Sequence, residues 1–256
     1  MQKIEGIKLK KKECLVSDFD KRCANKKPFA HPTQARAACF VAGTLVHTQQ
    51  GLVPIEKLKV GDYVLSKPES GEGEQSYQRV TETFVHEEQE ILLIDIDGYS
   101  VQDHEAAIKT GALVDDSADF PLIVTANHPF WVVGKGWVEA LRLKPGVDVI
   151  VIADGSHHGV GNKHRVVRTL NKDTGWLIRG TFCPIVFTEN VSRIIDLSNN
   201  AISSSYEIED RVENEGVEWW DECEQDRMRR TVYNITVENT HTYYVGELGV
   251  WVHNKI

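Results

Sequence analysis

The sequence predicts an all-β domain made of two related halves, with an insertion in the second half. Three observations carry the prediction. From Phe40 onward, short apolar runs alternate with turn residues. Long segments of 3.6-residue period are missing from that stretch. Two pairs of similar strings recur along it in the same order.

The first 38 residues stand apart in composition. They hold ten Lys and Arg against four Asp and Glu, which is +6 and leaves −15 for the rest of a chain whose net charge is −9. No aromatic residue interleaves the lysines from Lys8 to Lys12, so a solvated arm is favoured over a nucleic-acid-binding one. The acidity of the remainder argues against a nucleic-acid-binding body. A hydrophobic content of 41% suffices for a real core. No run reaches the roughly 18 apolar residues of a membrane span, and the first residues lack the apolar core of a signal peptide. The expectation is a domain without membrane insertion, whose export signal, if any, lies outside this sequence.

Strands are expected over 40–46, 63–66, 91–96, 122–125, 130–133, 147–152, 231–237, 242–245 and 250–252. A single helical turn or two is expected over 54–58, with Pro54 suited to its first position. Residues 53–64 recur in outline as 138–149: a short amphipathic turn, a Lys-x-Gly bend, then a strand. Residues 124–132 and 237–245 each place a His before two aromatics and a Val. Between 153 and about 226 the pattern loosens into Gly, Asn, Ser and acidic runs, which reads as the insertion. Trp176, Phe182, Trp219 and Trp220 are expected to serve its packing.

Five cysteines (Cys14, Cys23, Cys39, Cys183, Cys223) form an odd and scattered set without a C-x-x-C pair. Neither a zinc site nor a disulfide scaffold follows, and at least one thiol is free. His157, His158 and His164 are expected on a solvated Gly-rich loop rather than around a metal. Asp115, Asp116 and Asp119 are read as a solvated turn rather than a calcium loop.

Chemistry concentrates at the two ends of this β-rich region. Ala38-Cys39-Phe40-Val41-Ala42-Gly43-Thr44 opens it, and Val250-Trp251-Val252-His253-Asn254 closes it. Between them lie Thr125-Ala126-Asn127-His128, then Asn234 within 232–237, followed by His241-Thr242-Tyr243. In this order the motifs resemble those of the Hint (hedgehog/intein) superfamily. The run Tyr-x-Val-x-x-x-Gly-Val-x-Val-His-Asn is most similar to the pre-toxin Hint domains of bacterial polymorphic toxins.

The resemblance implies an intein-like fold with pseudo-twofold β-subdomains and a self-cleaving activity. Residues 1–38 would be an N-terminal flank, 39–254 the autoprocessing domain with its insertion at about 153–226, and 255–256 the start of a C-terminal flank. Cys39 would attack the Ala38 carbonyl in an N-to-S acyl shift, a task suited to a nucleophilic thiol. The resemblance assigns protonation of the departing nitrogen to His128 and oxyanion stabilisation to Thr125. Asn254 would cyclise to a succinimide and break the bond to Lys255, with His253 polarising the scissile carbonyl or protonating the leaving amine and His241 activating the Asn254 side chain.

Two departures limit the carry-over. Splicing needs a Cys, Ser or Thr after the terminal Asn, and Lys255 stands there, so cleavage without ligation is expected. Asn234 stands where inteins often carry Asp, so it is at most a support residue. No cofactor is implied. The expected partners are the chain's own flanks and a C-terminal effector cargo, a toxin on this resemblance. The rival expectation is a catalytically inactive Hint-fold scaffold or interaction domain in a secreted multidomain protein.

Overall fold

The computed structural model describes residues 37–111, 119–168, 172–177, 191–198, 204–209 and 227–254. The chain enters through β1 (Phe40–Val41) and folds the hairpin β2 (Leu45–Thr48) and β3 (Gly51–Pro54). A 3-10 turn over Ile55–Lys57 leads into β4 (Tyr63–Ser66) and the long β5 (Ser76–Glu90). After β6 (Leu92–Ser100) and the helix α1 (Val101–Thr110), the same sequence of elements returns. It comprises β7 (Asp119–Val124), the hairpin β8 (Pro129–Val132) and β9 (Gly136–Glu139), a 3-10 turn over Ala140–Arg142, β10 (Val149–Val151) and the long β11 (His157–Arg168). A meander of β12 (Thr174–Leu177), β13 (Val191–Asp196) and β14 (Ser204–Glu209) follows, then β15 (Arg229–Val237), β16 (Thr242–Val245) and β17 (Val250–His253).

Matching backbone hydrogen bonds reveal the pseudo-twofold. Ile55 N–H donates to the Thr44 carbonyl at 2.8 Å, and Ala140 N–H to the His128 carbonyl at 2.8 Å. Gly61 and Gly146 likewise donate to Val80 and Val160, at 2.9 and 2.8 Å. Thr44 and His128 are therefore equivalent positions, as are Val41 and Thr125, whose carbonyls accept from Thr44 and His128 at 3.3 and 3.2 Å. The two halves meet where β1 pairs with β7 at Phe40↔Val124. Each long strand then leaves its own half: β5 runs on along β15, and β11 along β6.

Most expected strands are present. The 40–46 run is broken at Gly43, whose φ of 82° turns the chain between β1 and β2. The repeat of 53–64 in 138–149 coincides with the twofold. The second similarity, 124–132 with 237–245, does not coincide with it. Val237 ends β15, whose counterpart is β6, whereas the counterpart of 124–132 begins at Phe40.

Of the elements that the sequence did not announce, three are long. Helix α1 buries no residue and so shows no apolar stripe. It is fixed at its ends, where Ser100 Oγ accepts from Asp103 N–H at 3.0 Å and Gly111 closes it at φ 69°. Strand β5 is acidic and largely exposed, and its register with β15 holds it in place. Strand β11 lies in the stretch read as insertion, yet it pairs with both β10 and β6. Its glycines serve packing, not turning: a Cβ at Gly159 or Gly161 would run into the Asp97 carboxylate.

The histidines on β11 consequently do not form a solvated loop. His158 is buried, with Nδ1 bonded to the Asp97 carbonyl at 2.7 Å and Nε2 to Ser156 Oγ at 3.0 Å. His164 is buried too, 3.8 Å from an Asp95 carboxylate oxygen. Asp119 begins β7 and pairs across from Asp97. Lys8 to Lys12, Cys14, Cys23, Asp115, Asp116, Phe182, Cys183, Trp219, Trp220, Cys223 and the Trp176 side chain lie outside the described residues. Among the described residues no helix is long and apolar enough to cross a membrane.

Two apolar clusters lie on the two faces of β1, as the two-residue strand period requires. Phe40 faces the larger, with Val46, Val124, Phe130 and Tyr243. Cys39 and Val41 belong to the smaller, to which the meander contributes Leu177 and Ile195. A separate aromatic wall of Trp131, Trp137 and Trp251 is crossed by the loop from β4 to β5. Gly71 in that loop has φ 84°, and a Cβ there would lie 2.6 Å from the Trp131 ring. Gly71→Ala is expected to lower stability by about 1–3 kcal/mol, read from urea unfolding, because both the φ and the contact exclude a side chain.

Candidate active site

Antiparallel pairing of Phe40 with Val124 puts Cys39 beside Thr125. The Thr125 hydroxyl accepts from Cys39 N–H at 2.9 Å and donates to the Ala37 carbonyl at 2.9 Å. Thr125 N–H donates to the Cys39 carbonyl at 2.9 Å. The Ala38–Cys39 peptide is thus held from both sides and is sealed from solvent. Thr125 sits on the nitrogen of that peptide; the resemblance had suggested the carbonyl.

His128 is fully buried in an aromatic box, its ring 4.2 Å from Phe40 and 6.4 Å from Tyr243. Among the described residues, neither ring nitrogen completes a hydrogen bond. Burial, and then repulsion from the nearby His253, hold the imidazole down at about 3. The Ala38 carbonyl draws it upward by less and so lies on the His128 side of the peptide. Burial also pushes the Cys39 thiol up to about 12. The resting centre therefore holds a neutral thiol and a neutral imidazole. Direct transfer of the thiol proton to that ring is uphill, since burial disfavours both charged forms.

Asn234 and Tyr243 complete this centre. Asn234 is buried, and its Oδ1 accepts from the Tyr243 hydroxyl at 2.9 Å and from Ile235 N–H at 2.8 Å. Tyr243 was not singled out as a site residue. Its signal was present as the aromatic two positions after His241.

Asn254 is buried at the other end of the domain's chain, close to the same place. Its backbone N–H donates to the His241 carbonyl at 2.9 Å. With the carboxamide oriented by its hydrogen-bonding network, Nδ2 donates to that same carbonyl at 2.7 Å and Oδ1 accepts from Val237 N–H at 3.0 Å. His241 thus meets Asn254 through its backbone; the imidazole is exposed. A φ of 55° turns the His241 carbonyl toward Asn254. His253 Nε2 bonds to Glu69 Oε2 at 2.8 Å, and its ring stands edge-on to Trp137 at 5.0 Å. Beside it, Pro129, Trp137, Val138, Glu139 and Arg142 line an open cavity of about 510 Å³. Glu69 gave no signal in an acidic loop. Lys255 lies outside the described residues.

A two-halved β-domain that buries a Cys near its start, a Thr and a His where its halves meet and an Asn near its end has the architecture of a Hint domain. The pretoxin Hint family matches residues 45–171, a span that holds Glu69, Thr125 and His128. The chain belongs to the Hint superfamily as a pretoxin Hint domain. Similar solved structures include a bacterial intein-like domain from Clostridium thermocellum, 25% identical, with a TM-score of 0.49 over 84% of this chain and 97% of that one. A DnaB intein from Synechocystis sp. PCC 6803 is 12% identical, with a TM-score of 0.45 over 86% of this chain and all of its own. No curated protein matches the chain.

The depressed His128 has a consequence for stability. The unfolded chain takes up a proton on this residue below about pH 6.5, while the folded chain resists until about 3. The contribution is full above 6.5 and is lost as pH falls from there to 3. About 2 kcal/mol should be gone by pH 5. Urea unfolding at pH 7.5 and 5 should show this loss in the native chain and its absence in His128→Gln. Equal pH dependence in the two would contradict the assignment.

Proposed function

We propose that the domain is a single-turnover autoprocessing module. It cleaves its backbone at Asn254–Lys255 by Asn cyclisation and, secondarily, at Ala38–Cys39, releasing a C-terminal cargo without splicing. The observation that carries this reading is the seating of Asn254. Its carboxamide is buried, hydrogen-bonded through both heteroatoms and adjacent to a histidine that faces a carboxylate.

In the cyclisation, Asn254 Nδ2 bonds to the Asn254 carbonyl carbon and the bond from that carbon to the Lys255 nitrogen breaks. One proton leaves Nδ2 and one arrives on the departing amine, so a proton shuttle is all the reaction requires. His253 is suited to that task. The His241 carbonyl supplies orientation by fixing one Nδ2 hydrogen, which brings the nucleophile toward its own backbone.

The Ala38–Cys39 step would convert an amide into a thioester, with the thiol proton passing to the leaving nitrogen. Thr125 is bonded to that nitrogen, and His128 lies on the carbonyl side. The neutral, buried state of Cys39 and His128 makes this the slower event. With Lys255 in place of a thiol or hydroxyl residue, a thioester has no intramolecular acceptor at that position. It would be resolved by water or an added thiol. The cargo begins at Lys255, and the pretoxin family suggests an effector domain.

The test is intact-mass analysis of a chain bearing a longer C-terminal flank. Release beginning at Lys255 is expected for the native chain and for Cys39→Ala, and not for Asn254→Ala. Joined flanks should be absent. A native chain that stays whole for days, with dithiothreitol added, refutes the reading. His241→Gly should retain release within about threefold of native, since glycine accepts the left-handed φ and keeps the carbonyl. A loss as large as that of Asn254→Ala would assign the role to the imidazole instead.

A further inference from the structure

We propose that Glu69 is the positioning residue of His253, fixing which ring nitrogen faces the Asn254–Lys255 peptide; the inference rests on the reading of Asn254 as a cleavage site. His253 Nε2 donates to Glu69 Oε2 at 2.8 Å, so the proton of the neutral ring resides on Nε2 and the lone pair on Nδ1. Nδ1 is the nitrogen nearer the backbone. It is buried and, among the described residues, has no hydrogen-bond partner. The peptide to be broken begins at the next residue. A ring in the opposite tautomer would carry its N–H on the buried Nδ1 and lose its bond to the carboxylate.

Glu69 is itself held for this contact. Trp137 Nε1 donates to the Glu69 carbonyl at 3.0 Å, while the Trp137 ring packs edge-on against His253. Two residues on, Gly71 lies against Trp131, and Lys67, two residues earlier, sits 5.5 Å over the Trp251 ring. At the far end of the loop, Gln75 Nε2 donates to the Ala153 carbonyl at 2.6 Å and to the Tyr244 hydroxyl at 3.0 Å. The loop is therefore pinned before, at and after Glu69, although the carboxylate is half exposed. An ordinary surface ion pair would not need such support.

When Nδ1 accepts the proton released by Asn254 Nδ2, the ring becomes an imidazolium between Glu69 and the departing amine. Nδ1 then returns the proton to the Lys255 nitrogen, and no external acid or base is consumed. Glu69 touches neither reacting atom; it orients the shuttle.

Two measurements test this. Long-range proton–nitrogen NMR of the full chain carrying Asn254→Ala, which stays uncleaved, reads the His253 tautomer. The Nε2–H form is expected, becoming a mixture when Glu69→Ala is added and persisting with Glu69→Gln, whose amide oxygen still accepts. Release of the C-terminal flank should slow about tenfold in Glu69→Ala, the effect of losing the hydrogen bond that fixes the tautomer, and stay within about threefold of native in Glu69→Gln, which keeps an acceptor. An unchanged tautomer in Glu69→Ala, or Glu69→Gln as slow as Glu69→Ala, overturns the proposal. A native chain that releases nothing sinks the cleavage reading instead, and the tautomer measurement still decides the role of Glu69.

Discussion

The two residues of β1 are the constraint on which the molecule turns. Phe40 pairs with Val124 on one side and with Tyr233 on the other, so the first described strand is flanked on both sides. A strand so flanked carries the peptide before it into the interior. Cys39 and Ala38 are buried for this reason, and their burial determines the electrostatics that follow. Among the described residues, a thiol surrounded by Ile91, Leu93, Ile123 and Val232 has no cation to stabilise a thiolate. An imidazole enclosed by Phe40, Phe130 and Tyr243 has, among the same residues, no carboxylate to stabilise an imidazolium.

The C-terminal centre is governed differently, although it lies close enough for His253 to influence His128. Asn cyclisation needs no charged nucleophile in the resting state, so burial of Asn254 costs it little once both carboxamide heteroatoms are bonded. Its histidine is only partly buried and faces a carboxylate. On the proposed reading, one fold houses a nucleophile that burial disables beside one that burial merely aligns. The meander adds Leu177 and Ile195 to the cluster around Cys39 and deepens the first effect. The proposed order, Asn254 ahead of Ala38–Cys39, rests on this difference in environment.

Much of this was legible in the sequence where local chemistry and local structure agree. Alternation of apolar residues marked the strands that bury one or both faces, and the Lys-x-Gly bends marked the true repeat. Residues such as Cys39, Thr125, His128 and Asn254 declared themselves by type and order. What escaped was set by contacts distant in sequence. Strand β11 reads as a loop because Gly159 and Gly161 look like turn residues, and only the Asp97 carboxylate opposite explains them. Helix α1 has no apolar face to detect, though Ser100, Asp103 and Gly111 do spell its two caps. Glu69 is one acidic residue among several in its loop, and its meaning arises from Trp137 and Gly71, which no local pattern connects.

The twofold explains why the site is where it is. Because the halves meet at Phe40 and Val124, the residue before Phe40 lies beside the residue after Val124, which joins Cys39 to Thr125. The same operation generates a second corner from the equivalent positions, where Val41 stands for Thr125, Ile123 for Cys39 and Thr44 for His128. That corner, bounded by 41–45, 119–123 and 246–250, encloses a largely apolar cavity of about 520 Å³. Neither Cys nor His lines it. The backbone therefore supplies two places where a strand-entering peptide can be held against the turn that precedes a hairpin. In one, the side chains are a thiol, a hydroxyl and an imidazole; in the other, they are two aliphatics and a hydroxyl that bonds to its own turn, Thr44 Oγ1 to the Val41 carbonyl at 2.9 Å. A duplicated fold alone thus does not make the site: three side chains at one of two equivalent corners do.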